Sequence, residues 1–142
     1  MFDVKTYHEY VTELDENLKK WIITKDSLKS EFTKEITYLP LLLHTCIDII
    51  STKDISKEIK NKAIGAIEYA KNDFDHLSEA ILGNRGLIDD LFIAALVVIE
   101  SSKSGLEINK HTIDISNHII NISKKMLGDN LYNKCFFTYK KL

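Results

Sequence analysis

Side chains suited to chemistry are concentrated between residues 73 and 90. This short stretch holds five carboxylates, one histidine and the chain's only arginine: Asp73, Asp75, His76, Glu79, Arg85, Asp89 and Asp90. Carboxylate oxygens are the ligands that Mg²⁺ and Ca²⁺ prefer, and Mg²⁺ often takes only one or two of them together with water. Four of the acids are therefore candidate metal ligands: Asp75, Glu79, Asp89 and Asp90.

The same stretch also suits a structural role. Asp89 and Asp90 fall in the first turn of a predicted helix, where each negative charge stabilises the helix dipole by about 0.3–1 kcal/mol. Arg85 lies between Gly83 and Gly86, which permit a tight turn. We therefore expect Arg85 to pair with at least one acid of the cluster and to tie two helices together. This interpretation accounts for every residue type in the stretch and is favoured over a metal site.

Apolar residues recur at three- and four-residue steps through nearly the whole chain, which is the spacing of helices. The first helix is predicted at about residues 4–23. Pro40 predicts a kink or break at Leu39, because proline has no amide donor and restricts the residue before it. Residues 87–102 are apolar on nearly every face, which predicts a buried central helix. The predicted fold is all-α, a compact single-domain bundle of six or seven helices over residues 1–142.

Composition and charge exclude several classes of protein. The 142 residues fit one domain, and the 44% hydrophobic and 28% charged residues are ordinary for a soluble globular protein. A net charge of −2 disfavours a nucleic-acid binder, because such proteins are usually basic. We find no secretory signal, and no apolar stretch approaches the roughly 18–20 residues that cross a bilayer. The expected location is therefore the cytoplasm.

Three features outside the acidic stretch have structural interpretations. His44 and Asp48 lie four residues apart in an apolar segment, so they are placed to pair across one helical turn. We expect His44 to be a core or interhelical histidine and Cys46 to be a core residue. The lysine cluster that includes Lys62 interleaves with acids and is interpreted as a solvated face.

Residues 66–98 resemble the YkvA-like family of bacterial helical domains. The matching residues are Ala66, Tyr69, Asp75, Leu77, Glu79, Gly86, Asp89 and Asp90, followed by the apolar run 91–96. The stretch departs from the family pattern where Asp73 and Ser78 stand in place of prolines and Glu79 in place of an aspartate. The resemblance implies a helical domain with no established activity, and it marks the region from Asp75 to Asp90 as the family's signature.

Two main classes of function follow, and membrane-surface association through the amphipathic first helix is a third, weaker one, because that helix is mixed in charge and not basic. The favoured class is a non-enzymatic protein-interaction or regulatory module, because we find no catalytic motif. Its partner is another protein or a second copy, contacted through the terminal aromatic residues Phe136, Phe137 and Tyr139. The alternative is a divalent-metal-binding protein, or a metal-dependent hydrolase of phosphate esters, that uses the acidic cluster with Mg²⁺ or Ca²⁺ and His76 as a base.

Overall fold

Helices account for most of residues 3–22, 32–71 and 87–142, which are the parts of the chain that this computed structural model describes. In chain order the described helices are α1 (Val4–Trp21), α2 (Thr33–Ile36), α3 (Leu39–Ile50), α4 (Lys57–Lys71), α5 (Ile88–Lys103), α6 (Lys110–Leu127) and α7 (Asp129–Lys141). These three ranges contain no strand. The prediction of an all-α bundle of six or seven helices is confirmed.

Helix α5 is the centre of the bundle. Every residue from Leu87 to Ala95 is buried, and α3, α4, α6 and α7 all pack against α5. The helix begins one residue later than predicted, because Leu87 is the residue that precedes its first turn. None of the described helices, α5 included, is long and apolar enough to cross a membrane.

Local side-chain chemistry sets several helix ends. The Asp3 carboxylate accepts a hydrogen bond from the Lys5 amide at 3.0 Å and so caps α1. The Ser56 hydroxyl accepts from the Ile59 amide at 3.2 Å at the start of α4. Gly128 has a φ of 77°, a left-handed value that glycine adopts readily, and it separates α6 from α7.

The chain breaks between two helices just before Leu39, which is where Pro40 predicts a kink or break. Thr37 and Tyr38 form the turn between α2 and α3, whereas Leu39 is the first residue of α3 and Pro40 the second. The reason is that the first four amides of a helix have no acceptor within the helix, so proline loses no hydrogen bond there. Pro40 therefore begins a helix instead of interrupting one.

Most of the predicted core is buried. The buried members are Leu42, Ile47, Ile67, Leu91, Ala94, Ala95, Val98, Ile115 and Ile119. The other predicted core residues are only partly buried and pack against the edge of the core: Leu14, Trp21, Phe32, Ile64 and Ile122. Spacing identifies which side of a helix faces inward, but it does not give the depth to which each side chain is buried.

Truncating the central helix should strongly destabilise the bundle. Phe92 is fully buried in α5, so Phe92→Ala is expected to lower the free energy of unfolding by about 3–5 kcal/mol. Phe137→Ala is the matched control, because Phe137 is exposed and its truncation should cost no more than the roughly 0.5–1 kcal/mol of its contact with Lys141. Urea denaturation followed by far-UV circular dichroism measures both values, and equal losses would contradict the assignment of α5 as the centre.

Candidate functional site

The acidic stretch is only partly within the described residues. Asp73, Asp75, His76, Glu79, Arg85 and Gly86 lie outside them, as does the predicted short helix from about residue 73 to Leu82. The metal site and the Arg85 ion pair therefore stay predictions. Within the three described ranges, no group of three or more His, Cys, Asp and Glu residues is arranged to hold a metal ion.

Asp89 and Asp90 are described, and both are buried. They lie in the first turn of α5, as predicted, with exposures of 0% and 1%. The Tyr69 hydroxyl, on α4, donates a hydrogen bond to Asp89 Oδ2 at 2.8 Å. A buried carboxylate needs such donors, because removing it from water is costly. Tyr69 and the two aspartates are residues of the family resemblance, so two parts of that motif meet across the α4–α5 contact.

A buried lysine connects α4 to α7. Lys62 is only 6% exposed; its Nζ donates to the Tyr139 carbonyl at 3.0 Å and lies 4.3 Å from the centroid of the Tyr139 ring. Burial, together with Glu100, raises the pKa of the Tyr139 hydroxyl above its usual range. The interpretation of Lys62 as part of a solvated face is therefore wrong. Lysine is usually exposed, so its sequence context gave no signal of this tertiary contact.

The outer side of α7 carries exposed lysines and aromatic rings that are half-buried or exposed. We call this the aromatic–lysine surface, and its members are Tyr132, Lys134, Phe136, Phe137, Lys140 and Lys141. The Tyr132 ring lies 5.2 Å from the buried Phe92 ring and 6.1 Å from the Phe136 ring, so the surface is anchored in the core. Phe137 is 60% exposed.

Lysine ammonium groups lie over these rings. Lys140 Nζ is 4.9 Å from the centroid of Phe136, and Lys141 Nζ is 4.1 Å from that of Phe137. Contacts of this kind are worth about 0.5–1 kcal/mol at exposed sites. No carboxylate in the described part of the chain lies within ion-pair distance of Lys140 or Lys141. The positive charge of this surface is therefore not neutralised locally.

Charge is distributed unevenly between this end of the chain and the rest. Residues 124–142 contain five lysines and one aspartate, which gives a net charge of +4. Because the whole chain carries −2, the residues before position 124 carry −6. Such an asymmetry favours contacts between this end and an acidic surface.

A groove of about 360 Å³ lies between α3 and the start of α6. Its polar lining includes His44, Asp48, Glu107 and His111. The predicted ion pair between His44 and Asp48 is not present among the described residues. His44 is half-buried, and its ring lies 5.7 Å from that of His8 on α1, so the prediction of an interhelical histidine is confirmed.

Both cysteines are buried free thiols. Cys46 and Cys135 are 0% exposed. Burial raises the pKa of the Cys46 thiol from its usual value to about 12. The thiolate is the nucleophilic form of cysteine, so Cys46 is a core residue, as predicted.

Comparison with known proteins gives no relative: no family model, curated protein or solved structure matches this chain. The resemblance to the YkvA-like family therefore rests on residues 66–98 alone. It stays a prediction.

The hydroxyl of Tyr69 should contribute measurably to stability. Tyr69→Phe removes the donor to buried Asp89 and is expected to lower the free energy of unfolding by about 1–3 kcal/mol. Tyr132→Phe is the control, because the contacts of that residue are made by its ring and the expected change is below about 0.5 kcal/mol. Losses of the same size in both variants, measured by urea denaturation, would show that the Tyr69–Asp89 contact does not stabilise the fold.

Burial of Cys46 predicts a loss of stability at alkaline pH. The thiol ionises near pH 9 in the unfolded chain and near pH 12 in the folded one, so above pH 9 only the unfolded state releases this proton. Between pH 8 and pH 10 the expected contribution of Cys46 is a loss of about 1 kcal/mol. Denaturation at both pH values should show a smaller loss for Cys46→Ala than for the unsubstituted chain. Identical losses of unfolding free energy in Cys46→Ala and in the unsubstituted chain would contradict the burial of the Cys46 thiol.

Proposed function

We propose that this chain is a non-enzymatic protein-interaction module that contacts its partner through the aromatic–lysine surface of α7. The observation that carries the proposal is Phe137, which is 60% exposed. Among the described residues, the only other large apolar side chain left exposed is Ile22. Exposed aromatic side chains rimmed by charge are typical of protein interfaces.

The rigidity of the surface supports this role. A chain of ring contacts runs from Phe92 in the core through Tyr132 to Phe136 at the surface. The buried Lys62–Tyr139 contact fixes the same helix from its inner side. A surface that is already ordered loses little conformational entropy when it binds, which favours affinity.

The shape of the surface favours a protein over other partners. A shallow notch of about 310 Å³ lies among Tyr132, Asn133, Phe136, Phe137 and Lys140. An apolar side chain of a partner fits a notch of this kind, as anchor residues do at protein interfaces. The neighbouring lysines then attract carboxylates around that anchor.

We further propose that the chain acts in the cytoplasm and is a distant member of the YkvA-like family. The location is supported by the ordinary composition and by the buried free thiols Cys46 and Cys135, which a reducing compartment maintains. Family membership is supported by the Tyr69–Asp89 hydrogen bond, because it joins residues of the motif that are 20 positions apart.

Site-specific crosslinking tests the interaction surface. A photo-crosslinking phenylalanine analogue at position 137 is expected to join to a discrete protein, identified by mass spectrometry, in cells that express the chain. The same analogue in place of Asp114 is the control, because Asp114 is exposed on α6 about 15 Å along the helix from Lys124. Lys140→Glu should reduce the crosslink at position 137. Equal crosslinking from positions 137 and 114 would overturn the proposal.

A further inference from the structure

We infer that the partner of the aromatic–lysine surface is a second copy of this chain, which presents the acidic face of its α1. This inference rests on the proposed function, because it names what the α7 surface binds. The contact joins the α7 surface of one copy to the α1 surface of another copy.

The charges of the two surfaces are complementary. Residues 8–16 of α1 contain four acids and no lysine, of which Asp15 is paired with Lys19. Helix α7 contains three lysines and one aspartate, which gives it a net charge of +2. Glu9, Glu13 and Glu16 are exposed, as are Lys134 and Lys141. Opposite potentials of this kind steer two molecules together and fix how they dock.

The spacing of the two surfaces is also matched. Glu9, Glu13 and Glu16 occupy positions i, i+4 and i+7, which form one row on the face of a helix. Such a row is about 10 Å long, because each residue advances a helix by about 1.5 Å. Positions i, i+3 and i+7 of α7 are Lys134, Phe137 and Lys141, which form a row of equal length. When the rows align, carboxylates at both ends meet lysines.

An apolar contact lies at the centre of this arrangement. Tyr10 is half-buried and lies three residues before Glu13, so it borders the acidic row. Phe137 is the central residue of the α7 row and the most exposed aromatic side chain of that surface. Packing of Phe137 against Tyr10 and the methylene groups of Glu13 buries apolar area between the two ion pairs.

The contact joins unlike surfaces, so it is heterologous. A contact of this kind closes into a dimer or ring when the rotation between copies permits, and otherwise extends into a chain. An anionic lipid surface also attracts lysines and aromatic rings. The notch among Tyr132, Phe136 and Phe137 favours an inserted protein side chain over a lipid surface. Binding to anionic lipid is one of the outcomes of the test.

Reciprocal charge reversal tests the inference. Sedimentation velocity of the purified chain over a wide concentration range should show association that weakens with added salt. Lys134→Glu with Lys141→Glu, and separately Glu9→Lys with Glu16→Lys, should each weaken association by about tenfold or more. An equimolar mixture of the two double variants should restore it, because each supplies the charge that the other has lost. Lys57→Glu, at an exposed site on α4, is the control and should leave association unchanged.

The remaining outcomes separate this inference from the proposed function. Restored association in the mixture supports the α1–α7 contact, and far-UV circular dichroism of each variant confirms that it is folded. A chain that stays monomeric, but crosslinks through position 137 to a different protein, overturns the inference and leaves the proposed function standing. The third outcome is a monomer that floats with phosphatidylglycerol vesicles. If Lys134→Glu with Lys141→Glu abolishes this flotation, both the α1–α7 inference and the proposed protein-interaction function are overturned. Association that survives both double variants overturns the α1–α7 contact.

Discussion

No side of helix α5 faces water along its first two turns, because the rest of the bundle covers it. From Leu87 to Ala95 every side chain is shielded from water, including the carboxylates of Asp89 and Asp90. Five of the described helices pack around α5: α2, α3, α4, α6 and α7. A helix that carries apolar side chains on most of its faces is stable in water only when all of its sides are covered. The surface available for function therefore belongs to the outer helices, whose inner sides are committed to α5.

Local signals in the sequence predict most of the helices. The spacing of apolar residues identifies the central helix to within one residue, and Asp3, Ser56 and Gly128 mark helix ends through contacts with their near neighbours. These contacts are local, so the sequence alone contains them. Depth within the core depends on which helices surround a side chain. For that reason Trp21, which has helical spacing like that of Ile67, lies at the edge of the core.

The candidate site was less predictable, because its determining contacts join distant residues. Lys62 and Tyr139 are 77 positions apart, and Tyr69 and Asp89 are 20 apart. Nothing in the neighbourhood of Lys62 distinguishes it from the solvated lysines around it. The acids of α5 were recognisable as first-turn residues, but their complete burial is a property of the packed bundle. The aromatic residues of α7 were identified from the sequence, whereas the lysines stacked over them appear only in three dimensions.

The order of the helices along the chain has a consequence for synthesis. Helices α6 and α7 cover α5, yet both follow it in the sequence. A ribosome must add about 40 residues after α5 before α7 is complete, which takes roughly 2–8 seconds at ordinary rates of synthesis. During this interval one side of the most deeply buried helix has no cover in the nascent chain. Apolar surface exposed in this way makes an incomplete chain prone to aggregation, and the risk is greater here than in a bundle whose central helix is made last.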